Sequence, residues 1–89
     1  MNKTIVTVVG KDSIGIIAKV CTYLYEVKVN VLDISQTIID GFFNMIMIVD
    51  MPDNLDFTSI QGELDTLGNE LGVIIKMQRE DIFNKMHRI

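Results

Sequence analysis

Residues 29–51 read "VNVLDISQTIIDGFFNMIMIVDM", and no other stretch narrows the possible folds as far. Two runs rich in β-branched and aromatic residues, Val29–Asp40 and Phe42–Met51, meet at Asp40-Gly41. A two-residue link of this type signals a tight hairpin, because both turn positions need positive φ and Asp and Gly tolerate it. The centre of the chain is therefore an antiparallel strand pair. Its second strand is apolar on both sides: Phe43, Met45, Met47 and Val49 alternate to one face, and Phe42, Ile46 and Ile48 to the other. Such a strand needs cover on both faces, from its own chain or from another.

On each side of the hairpin a strand is coupled to a helix. "KTIVTVV", Lys3–Val9, is β-branched and ends at Gly10. From Ile14 the apolar residues fall at Ile14, Ile17, Ala18, Cys21 and Leu24, with Val20 beside them. That spacing predicts a helix capped by Asp12 or Ser13 and fading near Lys28. After the hairpin, Pro52 breaks the strand, and Asp53 or Asp56 caps a second helix. Phe57, Ile60, Leu64, Leu67 and Leu71 form its apolar stripe. Gly62 and Gly68 lie inside it at about 1 kcal/mol each relative to alanine, and are expected to permit a close approach. Gly72 stops the helix, and "VIIKMQ", Val73–Gln78, is a fourth strand. The tail from Arg79 reads as a short helix over about 80–88, with Ile82, Met86 and Ile89 on one side and Phe83 adjacent.

Strand, helix, strand, strand, helix, strand is the order of a ferredoxin-like α+β sandwich, βαββαβ. The expectation is one domain over residues 1–89, with its core in 3–78. Right-handed crossovers put both helices on one face of a four-stranded antiparallel sheet, with the tail helix added. With 89 residues and 48% apolar content, a chain this small has little interior to hide that surface. Self-association is expected, as a dimer. The formal net charge is −4 and no basic residues cluster, which argues against nucleic acid as a partner. The lone Cys21 gives neither a disulfide nor a metal-binding spacing. No apolar run approaches eighteen residues and the N-terminus lacks the features of a signal peptide, so a cytoplasmic protein away from membranes is expected.

"VVGKDSIGIIAKV", Val8–Val20, carries the chemistry. Backbone N–H groups at a helix start lack helical acceptors, and the helix dipole favours an anion there. The amides of Ser13, Ile14 and Gly15 are placed to receive a carboxylate, and Gly15 has no side chain in the way. Asp12 at the rim is placed to accept hydrogen bonds from an ammonium group. One short turn would thus read both ends of an amino acid. The second reading is a plain N-cap, the commoner use of this pattern, in which Asp12 satisfies the helix's own donors. The lysine precedes the turn and no G-K-[ST] follows, so this is not a phosphate-binding P-loop; nor is it a dinucleotide fingerprint.

The segment "VTVVGKDSIGIIAKVCTYLYEVKVNVLDISQTI" resembles the first half of an ACT domain. Gly10, Asp12, Gly15 and Ile16 form a G-x-D-x-x-G-[IL] motif, and Leu24 and "VNVLDISQ" match as well. The likeness extends to the ACT segments of the glycine-cleavage-system repressor and of formyltetrahydrofolate deformylase. The tail "EDIFNKMHRI" resembles that of stand-alone bacterial ACT proteins of the UPF0237 type. Many members have proline where Ile14 stands. The resemblance implies a regulatory domain that binds an amino acid or related metabolite at a homodimer interface, without a cofactor. It places the ligand at Asp12, Ser13, Ile14 and Gly15, with Asn30 as a second contact.

Asn30 has two readings as well: an exposed amide at a strand start, or a donor and acceptor for a zwitterion. Asp33 and Gln36 are weaker candidates, on opposite faces of their strand by parity. Cys21, on the apolar stripe, reads as a small buried hydrophobe, and His87 as a packing or surface residue. Catalysis is disfavoured. The same architecture hosts acylphosphatases, which need an arginine in the phosphate loop, and Arg79 and Arg88 are far from the glycine turn in sequence. The alternative to a metabolite sensor is a module that regulates a protein partner through its apolar surface.

Overall fold

The central hairpin forms as its turn chemistry dictates. In the computed structural model, which describes residues 2–11 and 15–79, Asp40 and Gly41 have φ of 51° and 79°. Ile39 faces Phe42 directly across the turn. The elements run β1 (Asn2–Gly10), α1 (Ile16–Glu26), β2 (Asn30–Ile39), β3 (Phe42–Met51), α2 (Phe57–Leu71) and β4 (Val73–Arg79). The expected tail helix, with Ile82, Phe83, Met86, His87 and Ile89, lies outside the described residues.

The strands form one sheet in the order β2-β3-β1-β4, with every neighbouring pair antiparallel. β1 is central, running from Asn2 opposite Met51 to Gly10 opposite Phe43. Strands adjacent in sequence across each helix are not adjacent in the sheet, so α1 and α2 must cross over it, and both lie on one face. There Val6, Val8, Met45, Met47, Val49 and Ile75 pack against Val20 and Leu24 of α1 and Leu64 of α2, each almost free of solvent. Burying a leucine of this kind contributes roughly 1.5–3 kcal/mol.

The helix ends are set by local chemistry. After Glu26 the Val29 N–H donates to Leu24 O at 2.8 Å and the Lys28 N–H to Tyr25 O at 3.0 Å. These are the paired bonds of a Schellman motif, with Val29 and Leu24 supplying its buried apolar contact. The left-handed position is filled by Lys28, φ 67°, where glycine is usual. Asp56 caps α2 by accepting from the Thr58 N–H at 3.1 Å and the Ser59 hydroxyl at 2.8 Å. The two glycines inside α2 differ. Gly68 is buried where α2 meets β4, and a Cβ there would lie 2.6 Å from Val73 O. Gly62 faces open space, so only Gly68 serves the expected close approach.

The other sheet face is apolar, as the two-sided pattern of β3 requires, but unevenly covered. Ile5 is 6% exposed, whereas Ile46, Phe42 and Ile74 are 43%, 45% and 62% exposed. The bare part is therefore the end of the sheet nearest Gly10.

Candidate functional site

The glycine turn joins the end of β1 to the start of α1. α1 starts later than its apolar spacing suggests. The first helical residue is Ile16, and Gly15 is the N-cap, with φ 76° and ψ −9°. This corrects the expectation that the helix begins at Ile14 with Gly15 in its first turn. The left-handed conformation of Gly15 is strained for any residue bearing a Cβ, and a chain that enters it cannot already be helical. The four amides left without a helical acceptor are consequently those of Gly15, Ile16, Ile17 and Ala18, so of the expected three only that of Gly15 is among the described residues and it belongs to the set. The first helical bond runs from the Lys19 N–H to Gly15 O at 3.0 Å. As N-cap, Gly15 brings no side chain of its own to those amides. Asp12, Ser13 and Ile14 lie outside the described residues.

Beside this end of α1 lies an open hollow of about 490 Å³, lined by Ile17, Gln36, Thr37, Ile38 and Phe43. Gly10 and Ile38 both sit opposite Phe43, so the hollow and the turn share one end of the sheet. Lys11, just past Gly10, holds its Nζ 5.9 Å from the centroid of the Phe42 ring on the other face. Gln36 belongs to the hollow and Asp33 does not, as strand parity anticipates. Asp33 instead accepts from the Ile34 N–H at 2.9 Å. Thr37 and Phe43 went unnoticed as candidates, because only the fold places them beside Ile17.

Asn30 is somewhere else. It is exposed and opposes Asp50, which in turn opposes Lys3. Seven strand positions separate Asp50 from Phe43, or roughly 23 Å at 3.3 Å per residue. Asn30 lines a second hollow of about 390 Å³ with Tyr25, Glu26, Lys28 and Val29, at the C-terminal end of α1. One copy of the chain does not bring Asn30 and the glycine turn together.

Two side chains of α1, Cys21 and Tyr23, are held toward their neutral forms. Burial pushes the Cys21 thiol up, which makes it a poorer nucleophile at neutral pH. The Tyr23 hydroxyl is also pushed well up, first by burial and then by its 2.8 Å hydrogen bond to Glu63 and that carboxylate's charge. Among the described residues no three His, Cys, Asp or Glu side chains are grouped so as to hold a metal ion. No described helix is long and apolar enough to cross a membrane.

The family model of the ACT domain matches residues 2–78. The chain belongs to the ACT domain family. A UPF0237 protein of Bifidobacterium longum is 63% identical over 90 residues, covering all of both chains. An ACT domain protein from Streptococcus pneumoniae superposes with a TM-score of 0.84 at 41% identity, over 92% of this chain and 93% of that one. A formyltetrahydrofolate deformylase from Pseudomonas putida shares the fold, with a TM-score of 0.77 at 19% identity. It is matched over 85% of this chain but only 28% of that one. This ACT domain thus spans the full length of its near relative, and the same fold is a minor part of a larger protein in the deformylase.

Proposed function

We propose that this ACT domain is a non-catalytic cytoplasmic sensor that binds an amino acid or related zwitterion at the interface of a homodimer. What supports the reading is the glycine N-cap of α1. A left-handed Gly15 ends the turn without a side chain, next to a hollow lined by Gln36 and Thr37. A ligand carboxylate would dock on the first-turn amides, where the helix dipole favours it. Asp12 and Ser13 would bind the ammonium end, with Ile14 and Gly15 shaping the turn.

Asn30 joins such a site only from a second copy, given its separation along the sheet within one chain. Two β2 strands paired antiparallel bring the start of one alongside the end of the other. Asn30 of the partner subunit then lies at the end of the sheet that holds this chain's turn. Only a ligand that binds one arrangement better than another can shift it, and a ligand spanning two chains does so by favouring the dimer.

Calorimetry on the wild-type chain and Asp12→Ala, after a thermal-shift screen of amino acids, tests the site. Saturable stabilisation by one amino acid, lost in the variant without loss of fold, is the expected result. Unchanged affinity in Asp12→Ala removes the turn from the site. A second reading, regulation of a protein partner without a metabolite, draws on the exposed Ile38, Ile39, Phe42 and Ile74. It is favoured if no small molecule in the screen raises the melting temperature.

A further inference from the structure

A four-stranded open sheet has two edges, and each is a row of main-chain donors and acceptors able to pair with another strand. In this molecule the two edges are treated differently. On the β4 edge, the side-chain amide of Gln61 in α2 sits against the backbone like a fragment of a fifth strand. Its Oε1 accepts from the Met77 N–H at 2.8 Å, and its Nε2 donates to Ile75 O at 3.0 Å. The second Nε2 hydrogen goes to Asp65 Oδ1 at 2.8 Å, one helical turn further along α2, which fixes the plane of the amide. Every polar group of Gln61 is used, and the main-chain groups it occupies are those an incoming strand would need.

The β2 edge has much less protection. Its ten residues, "NVLDISQTII", contain neither proline nor lysine, and its two guards, a bulge between Val31 and Asp33 and the charge of Asp33, both lie in its first half and leave the run from Ile34 to Ile39 without one. Among the described residues the only side chain bonded to its backbone is that of Asp33, on the Ile34 N–H. Ile34, Ile38 and Ile39 are 41%, 68% and 58% exposed along it.

We propose that Gln61 is an edge plug: it closes β4, directs self-association to β2, and so ends assembly at two chains. This rests on the homodimer reading above and adds what limits it. Two like edges paired about a two-fold axis close on themselves, whereas a second open edge lets dimers join further. The occupant of the β2 edge is another copy of this chain.

The test is sedimentation velocity over a hundredfold range of concentration on the wild type, Gln61→Ala and Gln61→Met. The methionine variant keeps the length of the side chain and its helix preference while removing both bonds. Expected are a wild-type dimer with nothing larger, and variants whose weight-average mass rises about twofold or more with concentration. Exchange of the Met77 amide at low concentration, where the extra association is absent, should quicken at least about tenfold in both variants. Folded variants that stay dimeric overturn the plug and leave the homodimer standing. A wild-type monomer whose variants associate refutes the homodimer and the direction of association to β2, and upholds only the closure of β4 by Gln61. A wild type that grows past two chains, or variants that remain monomers beside a wild-type monomer, refutes the plug outright.

Discussion

The two glycines inside α2 allow one substitution to be read with opposite signs on one helix. Replacing either by alanine removes the backbone entropy of glycine and is worth about 1 kcal/mol to the helix. At Gly62 nothing lies within 4 Å of the new Cβ, so Gly62→Ala should keep most of that gain. At Gly68 the Cβ would stand 2.6 Å from Val73 O, short of ordinary contact by about 0.8 Å. That oxygen belongs to the backbone of β4, and Val73 is held from its other side by Gly10, where an added Cβ would run into the Val73 side chain. Neither wall yields like the end of a flexible side chain. Overpacking of this sort costs about 1–3 kcal/mol, and here the upper part of the range applies. Net destabilisation of Gly68→Ala is then about 1–2 kcal/mol, and the two variants differ by about 2–3 kcal/mol. Urea unfolding at one fixed chain concentration, with m-values checked for equality, measures the difference. In heat it corresponds to roughly 4–8 °C per kcal/mol for a domain of this size. If both variants move the urea midpoint in the same direction, the close approach of α2 to β4 is not what selects Gly68.

Other consequences are as direct. Asp56→Ala removes the cap that serves Thr58 and Ser59 and should destabilise by about 1 kcal/mol in the same urea assay. Lys28→Gly relieves a left-handed non-glycine residue at the end of α1 and should stabilise by about 1 kcal/mol, visible as a higher midpoint at unchanged m. Because folding raises the Tyr23 pKa, its contribution is complete below the ordinary tyrosine value near 10 and is lost as pH rises through the higher folded value. Unfolding free energy measured at rising pH should therefore fall above about pH 10, and less steeply in Tyr23→Phe.

Much of the fold is readable from periodicity and turn residues, since both report on local geometry. Asp40-Gly41 sets the hairpin register from Ile39 opposite Phe42 onward, and the stripe from Phe57 to Leu71 sets α2 to the residue. The start of α1 is less legible. Asp12 and Ser13 are good caps by type, and the spacing from Ile14 is helical. Yet positive φ at Gly15 prevails over both, and a backbone angle leaves no mark beyond the glycine itself. The distance between Asn30 and the turn runs along the strands: α1 returns the chain by the length of β1, so β2 begins at the end of the sheet opposite Gly10, which appears only when the strand–helix–strand order is folded up and not in any local pattern. Gln61 was equally hidden. A glutamine between Ile60 and Gly62 reads as a solvent-facing helix residue until β4 is placed beside it.

The separation of Asn30 from the turn also supplies a test that single variants do not. If each site combines Asp12 of one chain with the partner's Asn30, an Asp12→Ala homodimer and an Asn30→Ala homodimer each lack part of both sites. A mixed dimer behaves differently. One of its sites joins the intact Asp12 of the Asn30→Ala chain to the intact Asn30 of the Asp12→Ala chain, while the other carries both defects. With the two variants mixed in equal amounts and allowed to exchange, half of the dimers are mixed, so about a quarter of all sites should bind with wild-type affinity. Titration calorimetry reads this as a stoichiometry near a quarter of the wild type, appearing only after mixing. A site confined to one chain excludes Asn30, so Asn30→Ala binds like the wild type by itself and mixing it with Asp12→Ala adds no sites. Absence of recovery in a mixture shown to exchange subunits would assign the ligand to the turn alone and return Asn30 to the exposed end of a strand.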